Sequence, residues 1–245
     1  MDPEYGRHYR ELYEKHWWWR TREEAILHVL RRRFGARRNL KILDIGCGDG
    51  VFFDRLAEFG DVEGIEPAAD VVDPTGPHRA RITVAAFDEE FQPGKRYSLI
   101  LMLDVLEHLD RPAEALRHAA ALLEPGGLLL ITVPAFQLLW TSHDVLNHHR
   151  ERFTKTSFRR IAREGGVHVL EARYFFLWLF LVKLITRGME RLAGAKPKVP
   201  QAPPPWLNGF LQSLSRADNR LALGAAFPVG SSLLVLATNS VGEVG

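Results

Sequence analysis

The chain has 245 residues, 46% of them apolar, and a formal charge of +2. That length and apolar content suffice for a sizeable core and suit one α/β domain, while the near-balanced charge gives no electrostatic argument for a nucleic-acid partner. The single cysteine, Cys47, excludes an internal disulfide and fits a reducing compartment. Residues 1–7 lack the apolar run of a signal peptide, so a cytoplasmic location is expected.

Residues 1–38 read as a helical cap. Trp17, Trp18 and Trp19 give it a large amphipathic surface, able to cover an adenosine or a substrate or to dock the helix on a core. Arg22, or equally Arg20, offers a planar fork for a carboxylate. The cluster Arg31, Arg32, Arg33, Arg37 and Arg38 closes the helix, where basic residues complement the helix dipole.

Residues 42–50 read I-L-D-I-G-C-G-D-G, a buried strand running into a glycine-rich turn, and the apolar spacing over 51–59 predicts a helix after it. Gly46, Gly48 and Gly50 permit positive φ and let a ligand approach the backbone, whose free N–H groups become donors. A dinucleotide fingerprint requires G-x-G-x-x-G, but Val51 stands where its third glycine would be. The spacing is G-x-G-x-G, preceded by Asp44. An acid there suits an aminoacyl sulfonium, which carries positive amino and sulfur centres, better than a pyrophosphate. Glu66 ends the next apolar segment 22 residues later, near the separation at which an acid reaches a ribose diol. Alternatively, Asp44 and Glu66 are ordinary caps of strand-to-helix loops.

Strands are expected at 41–45, 62–65, 82–85, 98–103, 128–133, 167–172 and 231–238, the last pairing antiparallel at the sheet edge. Asp110 and Pro112 open a helix that runs to Leu123, and Pro125-Gly126-Gly127 closes it. Residues 73–81 contain Pro74, Gly76 and Pro77 and cannot sustain a long helix, so that crossover is abbreviated. The alternation predicts a doubly wound, seven-stranded, mostly parallel Rossmann-like sheet in one domain, with a cofactor-binding core at 39–173, a helical insertion at 174–228 and a last strand and tail at 229–245.

The insertion is longer than most connections in a compact domain and is therefore a candidate for function. Residues 174–182 are nine consecutive apolar or aromatic side chains, followed by Lys183, Arg187, Glu190 and Arg191 on one helical face. That run is too short to span a bilayer, so 174–193 can lie at a membrane interface, line an apolar pocket, pack in a homodimer or simply fill the core. Residues 196–205 form a linker with five prolines, and a second amphipathic helix follows over 206–223.

The motifs L-D-I-G-C-G-D-G, V-E-G-I-E-P, S-L-I-L-M-L-D-V-L-E-H-L and L-L-E-P-G-G-L-L-L-I-T-V-P occur in that order. Through them the chain resembles the class I S-adenosylmethionine-dependent methyltransferases over roughly residues 41–173 and again near 228–238. The resemblance implies an enzyme that takes its methyl group from S-adenosylmethionine and releases S-adenosylhomocysteine. It implies that Asp44 and the loop of Gly46, Cys47, Gly48 and Gly50 hold the methionine moiety, and that Glu66, beside Pro67, takes the ribose hydroxyls. Asp88 would meet the adenine amino group, with Phe87 beside the ring, and Leu103 and Asp104 would add contacts at the end of the fourth strand. The segment E-K-H-W-W-W-R-T-R looks like the lead-in of a bacterial small-molecule branch whose H-W-W-x-x-x-R pattern matches His16 to Arg22, which would cap the cofactor.

Catalytic groups should lie at the carboxyl ends of the strands, beside the switch point between the first and fourth. Asp104, Glu107 and His108 follow the fourth strand at i, i+3, i+4 spacing, and a polar cluster from His143 to Arg150 follows the fifth. Methyl transfer from a sulfonium is an in-line displacement that depends on orientation, and a base is needed only for an unactivated acceptor. His108 and His149 are the candidate bases. Asp104, Glu107, His108 and His149 have the residue types of a divalent-ion site, but spacing alone does not show convergence and no metal is assigned. The expected partner is a small acceptor, hydrophobic or lipid- or glycan-linked; a silent cofactor-binding module, and less favourably an NAD-linked oxidoreductase, are the alternatives.

Overall fold

A computed structural model describes residues 12–193 and 201–239. In chain order its main elements are α1 (Trp17–Phe34), β1 (Leu40–Ile45), α2 (Phe53–Leu56), β2 (Gly60–Glu66), β3 (Ile82–Val84), β4 (Tyr97–Leu103), α3 (Pro112–Ala121), β5 (Leu123–Pro134), α4 (Ser142–Leu146), α5 (Lys155–Glu164), β6 (Val167–Phe175), α6 (Leu177–Ala193), α7 (Pro205–Gly224) and β7 (Ser232–Asn239). Contacts divide the chain into two compact units. The first comprises Met1–Gly35, Pro134–Arg152 and Arg173–Leu233, and the second Ala36–Val133, Phe153–Ala172 and Leu234–Gly245. The expected cap and insertion thus fall in one unit, together with the segment after β5.

The second unit carries the sheet, in the order β3-β2-β1-β4-β5-β7-β6. β1 pairs in parallel with both β2 and β4, with Ile42 opposite Leu99 and Ile45 opposite Met102. The chain order therefore reverses direction between β1 and β4, which leaves a crevice at their carboxyl ends. Ile42, Leu43, Ile45 and the run Leu99 to Met102 are fully buried, as expected of parallel strands covered on both faces.

Three expectations change in this unit. The helix read over 51–59 shrinks to the single turn of α2, because Leu40 N–H donates to Phe59 O and the chain has already entered the sheet at Gly60. Pro125-Gly126-Gly127 does not end a helix. It lies inside β5 as an irregularity, Tyr97 pairing with Leu123 but Leu99 with Leu128, and Gly126 takes φ 74° there. The last strand lies between β5 and β6 rather than at the edge, consistent with the complete burial of its Leu233, Val235 and Ala237 side chains. The short crossover over 73–81 is as expected, with only a 3-10 turn at Arg79–Arg81.

In the first unit α1 packs along α7. Arg216 grips Glu24 with two bonds of 2.6 Å, and Asn208 Oδ1 receives the Trp17 N–H at 2.9 Å. The nine apolar residues 174–182 are not one helix. Tyr174 and Phe175 finish β6, Phe176 turns the chain at φ 57°, and α6 begins at Leu177, where the Asp218 carboxylate receives the N–H groups of Leu177 and Trp178. Residues 196–200 of the proline-rich linker lie outside the described residues.

Candidate active site

In the second unit the glycine loop leaves β1 with Gly46, Gly48 and Gly50 at φ 73°, 56° and 70°. These are left-handed conformations that side chains resist. At Gly46 a Cβ would also come within 2.7 Å of Val105 Cγ2, so the loop and the turn after β4 approach more closely than any other residue type permits. Glu66, at the end of β2, holds the loop: its Oε2 accepts the Gly48 N–H and its Oε1 the Ala68 N–H, both at 2.9 Å. Burial pushes the Glu66 carboxyl up, against the two N–H groups that pull it down. Each oxygen keeps acceptor capacity beyond the one N–H it receives, as a diol partner requires.

Asp44 is buried on β1 and Pro67 is exposed beyond Glu66. Burial, reinforced by the charges of Asp44 and Glu66, drives the Cys47 thiol far above its ordinary value. The Cys47 sulfur occupies the space a Cβ at Gly64 would need, and a thiol so held is a poor nucleophile. Asp49, not singled out in the sequence, is buried and accepts the Asp73 N–H at 2.9 Å, tying the glycine loop to the shortened crossover.

Leu103 is half-buried at the end of β4, and Asp104 follows it at φ 57°. Asp104 N–H donates to Thr132 O, and its Oδ1 accepts the Thr132 hydroxyl at 3.2 Å. The helical turn expected to hold Asp104, Glu107 and His108 is a 3-10 turn at Leu106–His108 that excludes Asp104. Glu107 is fully buried and His108 half-buried. Beyond β3, Asp88 is exposed and caps its own turn through Glu90 N–H, while Phe87 lies 4.8 Å from the His118 ring and 5.9 Å from Phe91. An open cleft of about 650 Å³ borders this segment, lined in part by Gly64, Thr83, Ala85, Asp88 and Phe91.

The remaining candidates belong to the first unit. His16 caps α1, its Nδ1 accepting the Trp18 N–H, and burial lowers its pKa to about 4. Trp17 and Trp19 are buried, Trp17 against Trp178 at 5.4 Å, so two of the three tryptophans are docking residues. Trp18 is half-buried and Arg22 lies over its ring at 5.5 Å.

After β5, Asp144 is fully buried. It receives a bidentate Arg152 guanidinium, Nε to Oδ1 at 2.8 Å and Nη2 to Oδ2 at 2.9 Å, together with the Thr141 N–H and His149 Nδ1 at 2.8 Å. Burial acts to raise the Asp144 carboxyl, but the His149 hydrogen bond and the Arg152 charge outweigh it and hold the group well below the usual carboxylate range. A carboxylate on Nδ1 orients the imidazole ring. Arg152 was missed in the sequence, where it is one arginine in a basic run; it lies beyond the short helix that carries Asp144, so no helical period connects the two. His149 lies in the first unit and Glu107 and His108 in the second.

A family model described as a methyltransferase domain matches residues 18–173, more than half of the chain. The chain is similar to the ubiquinone biosynthesis O-methyltransferase of Hydrogenovibrio crunogenus, 26% identical over 183 residues, 63% of this chain and 76% of that one. It is also similar to the protein of the same name from Azorhizobium caulinodans, 33% identical over 132 residues, 46% of this chain and 52% of that one. The chain therefore spans about three quarters of the first and about half of the second. Among solved structures, a SAM-dependent methyltransferase from Archaeoglobus fulgidus aligns with TM-score 0.55 at 18% identity, over 88% of this chain and 93% of that one. The Haloferax volcanii protein solved with the Trm112 methyltransferase activator aligns with TM-score 0.60 at 17% identity, over 96% and 94%. These two likenesses concern the fold.

Proposed function

Since this chain belongs to the methyltransferase-domain family and draws on S-adenosylmethionine as its methyl donor, we propose that its acceptor is a small apolar molecule carrying a hydroxyl, methylated on oxygen. The observation that carries the cofactor half of this reading is the hold of Glu66 on Gly48. It ties a buried acid to a loop of three left-handed glycines that follows the strand burying Asp44, and we read this as suited to a ligand with a diol and a positive charge. When bound, S-adenosylmethionine supplies an electrophilic methyl group on a cationic sulfur.

The chain's own residues would do the rest. Asp44 and the loop N–H groups orient the amino-acid end, Glu66 the ribose, and Asp88 and Phe87 the base. On the acceptor side we assign His149, its ring oriented by Asp144, as the base for a hydroxyl proton, with Arg152 pairing Asp144. Trp18, the tryptophan left half-buried, with Arg22 over it, is the part of the H-W-W-x-x-x-R segment that we read as facing a ligand. The oxygen acceptor is suggested by the printed name of the relatives from Hydrogenovibrio and Azorhizobium.

Calorimetry with S-adenosylmethionine and S-adenosylhomocysteine on the wild type and Glu66→Ala tests the first half. Binding by the wild type that is lost in the variant is expected, and no binding by the wild type would overturn it. Transfer of a labelled methyl group to phenols bearing alkyl chains of increasing length tests the second. Cofactor binding without transfer to any of them would instead mark a silent binding module.

A further inference from the structure

In a water-exposed amphipathic helix the charged side chains face solvent and the apolar ones face the protein. In α6 this is reversed. Glu190 accepts both the N–H and the hydroxyl of Ser142, at 3.0 and 2.7 Å, and Arg187 donates to the carbonyls of Gln137 and Leu138. These two members of the polar stripe are thus spent on the protein itself. The opposite stripe, Leu181, Ile185 and Met189 at i, i+4, i+8, is 61%, 64% and 64% exposed.

The neighbouring α7 repeats the pattern, with Trp206, Phe210 and Leu214 at the same spacing, the first two 75% and 60% exposed. Of the eleven large hydrophobic side chains exposed among the described residues, eight lie on these two helices. Scattered apolar residues are ordinary on a surface, but stripes of this extent mark a face that something apolar covers.

Charge identifies the occupant. Residues 174–228 carry seven Lys and Arg against only Glu190 and Asp218, although the whole chain is only +2, so the rest of the protein is net negative. The flank of α7 beyond its apolar stripe borders a groove of about 370 Å³ lined by His28, Arg31, Arg216 and Arg220, with Glu24 engaged by Arg216. A protein partner would need a matched acidic and apolar face, whereas an anionic bilayer offers apolar chains and phosphates everywhere along its surface. No helix among the described residues is long and apolar enough to cross a membrane. The geometry is that of a surface that lies in the interface.

We propose that the apolar stripes of α6 and α7, with the arginine-lined groove beside α7, dock this protein on the surface of an anionic phospholipid bilayer. The inference is independent of the acceptor reading above. It is tested by co-sedimenting the full chain with vesicles of phosphatidylcholine alone and with about 30% phosphatidylglycerol, at about 50 and 500 mM salt, a range that separates long and short Debye lengths. The expected result is binding to the anionic vesicles that weakens at high salt and falls at least fivefold in Ile185→Asp/Phe210→Asp and in Arg220→Glu. The substituted side chains are exposed, and unchanged S-adenosylhomocysteine binding by each variant, measured by calorimetry, shows that the fold and the cofactor site are retained. Absence of vesicle binding, or binding unaffected by the variants, would overturn the proposal. So would a wild-type dimer in light scattering that Ile185→Asp/Phe210→Asp converts to monomer, since a second copy would then be what covers the face.

Discussion

Arg152 and Asp144 form a two-point ion pair, at 2.8 and 2.9 Å, in which both side chains are wholly withdrawn from solvent. Such a pair is worth little relative to an apolar replacement, but removing Arg152 leaves the buried Asp144 charge with only the Thr141 N–H and His149. Arg152→Met is therefore expected to cost about 3–5 kcal/mol in urea unfolding, and Asp144→Leu/Arg152→Met to recover only part of it, because the Thr141 N–H and His149 also lose their acceptor. If the double variant is no more stable than the single one, the pair acts through contacts other than its charge.

The same cluster makes stability depend on pH in two windows. Burial, with Lys183 as a further cause, lowers the His143 pKa to about 4, whereas the unfolded chain titrates near 6.5. The unfolded state binds the extra proton first, so stability is complete above pH 6.5 and is lost as pH falls through about 4, by up to about 3 kcal/mol. Asp144, held below the carboxylate range, adds stability that is present above its unfolded value and is lost only at more acid pH. His143→Asn should reduce the slope of unfolding free energy between pH 6.5 and 4, where His16 contributes the same way, and Asp144→Asn the slope below. A wild-type curve that is level from pH 7 to 4.5 would contradict the first.

Gly46 separates steric demand from backbone strain. Gly46 and Gly126 have nearly equal φ, 73° and 74°, but an added Cβ meets Val105 Cγ2 at 2.7 Å in the first and nothing within 4 Å in the second. Gly126→Ala should cost about 1–2 kcal/mol, the left-handed penalty alone. Gly46→Ala should cost more, and Val105→Ala in the same chain should restore part of the difference. A loss at Gly46 that Val105→Ala leaves unchanged would assign the glycine to φ alone.

The parts of the fold that were legible in the sequence are those fixed by local pattern. Apolar runs bounded by turn residues placed all seven strands, and the spacing of Asp44, Gly46, Gly48, Gly50 and Glu66 described a loop whose glycines do take positive φ and whose acid does reach the loop. What escaped was decided at long range. The Asp144–Arg152 pair depends on a loop path rather than a helical period, and the position of β7 between β5 and β6 is a choice of neighbours that alternation does not encode. The reversal of α6 escaped for the same reason: a helical wheel separates the apolar face of Ile185 from the charged face of Arg187 and Glu190, without saying which of the two finds Ser142 and Gln137.

The start of α6 offers a last test of long-range design. Leu177 and Trp178 give their N–H groups to Asp218 at 2.7 and 3.2 Å, and Phe176, at φ 57°, gives its own to Asn219 Oδ1 at 3.0 Å. Two adjacent side chains of α7 thus replace the local cap that an apolar sequence such as F-F-L-W cannot supply, and they hold Phe176 in a conformation costly for an aromatic residue. Burial raises the Asp218 carboxyl despite both N–H groups, so its charge is a smaller asset than its oxygens. Asp218→Asn, which keeps one acceptor, should therefore cost less than Asp218→Ala, expected at about 1–2 kcal/mol by thermal unfolding. Asn219→Ala should cost at least as much, since Asn219 also donates to Thr21 O at 3.4 Å, and Asp218→Ala/Asn219→Ala should be non-additive because both hold one turn. Strict additivity of the two losses would mean that the turn at Phe176 is held by its aromatic contacts and not by α7.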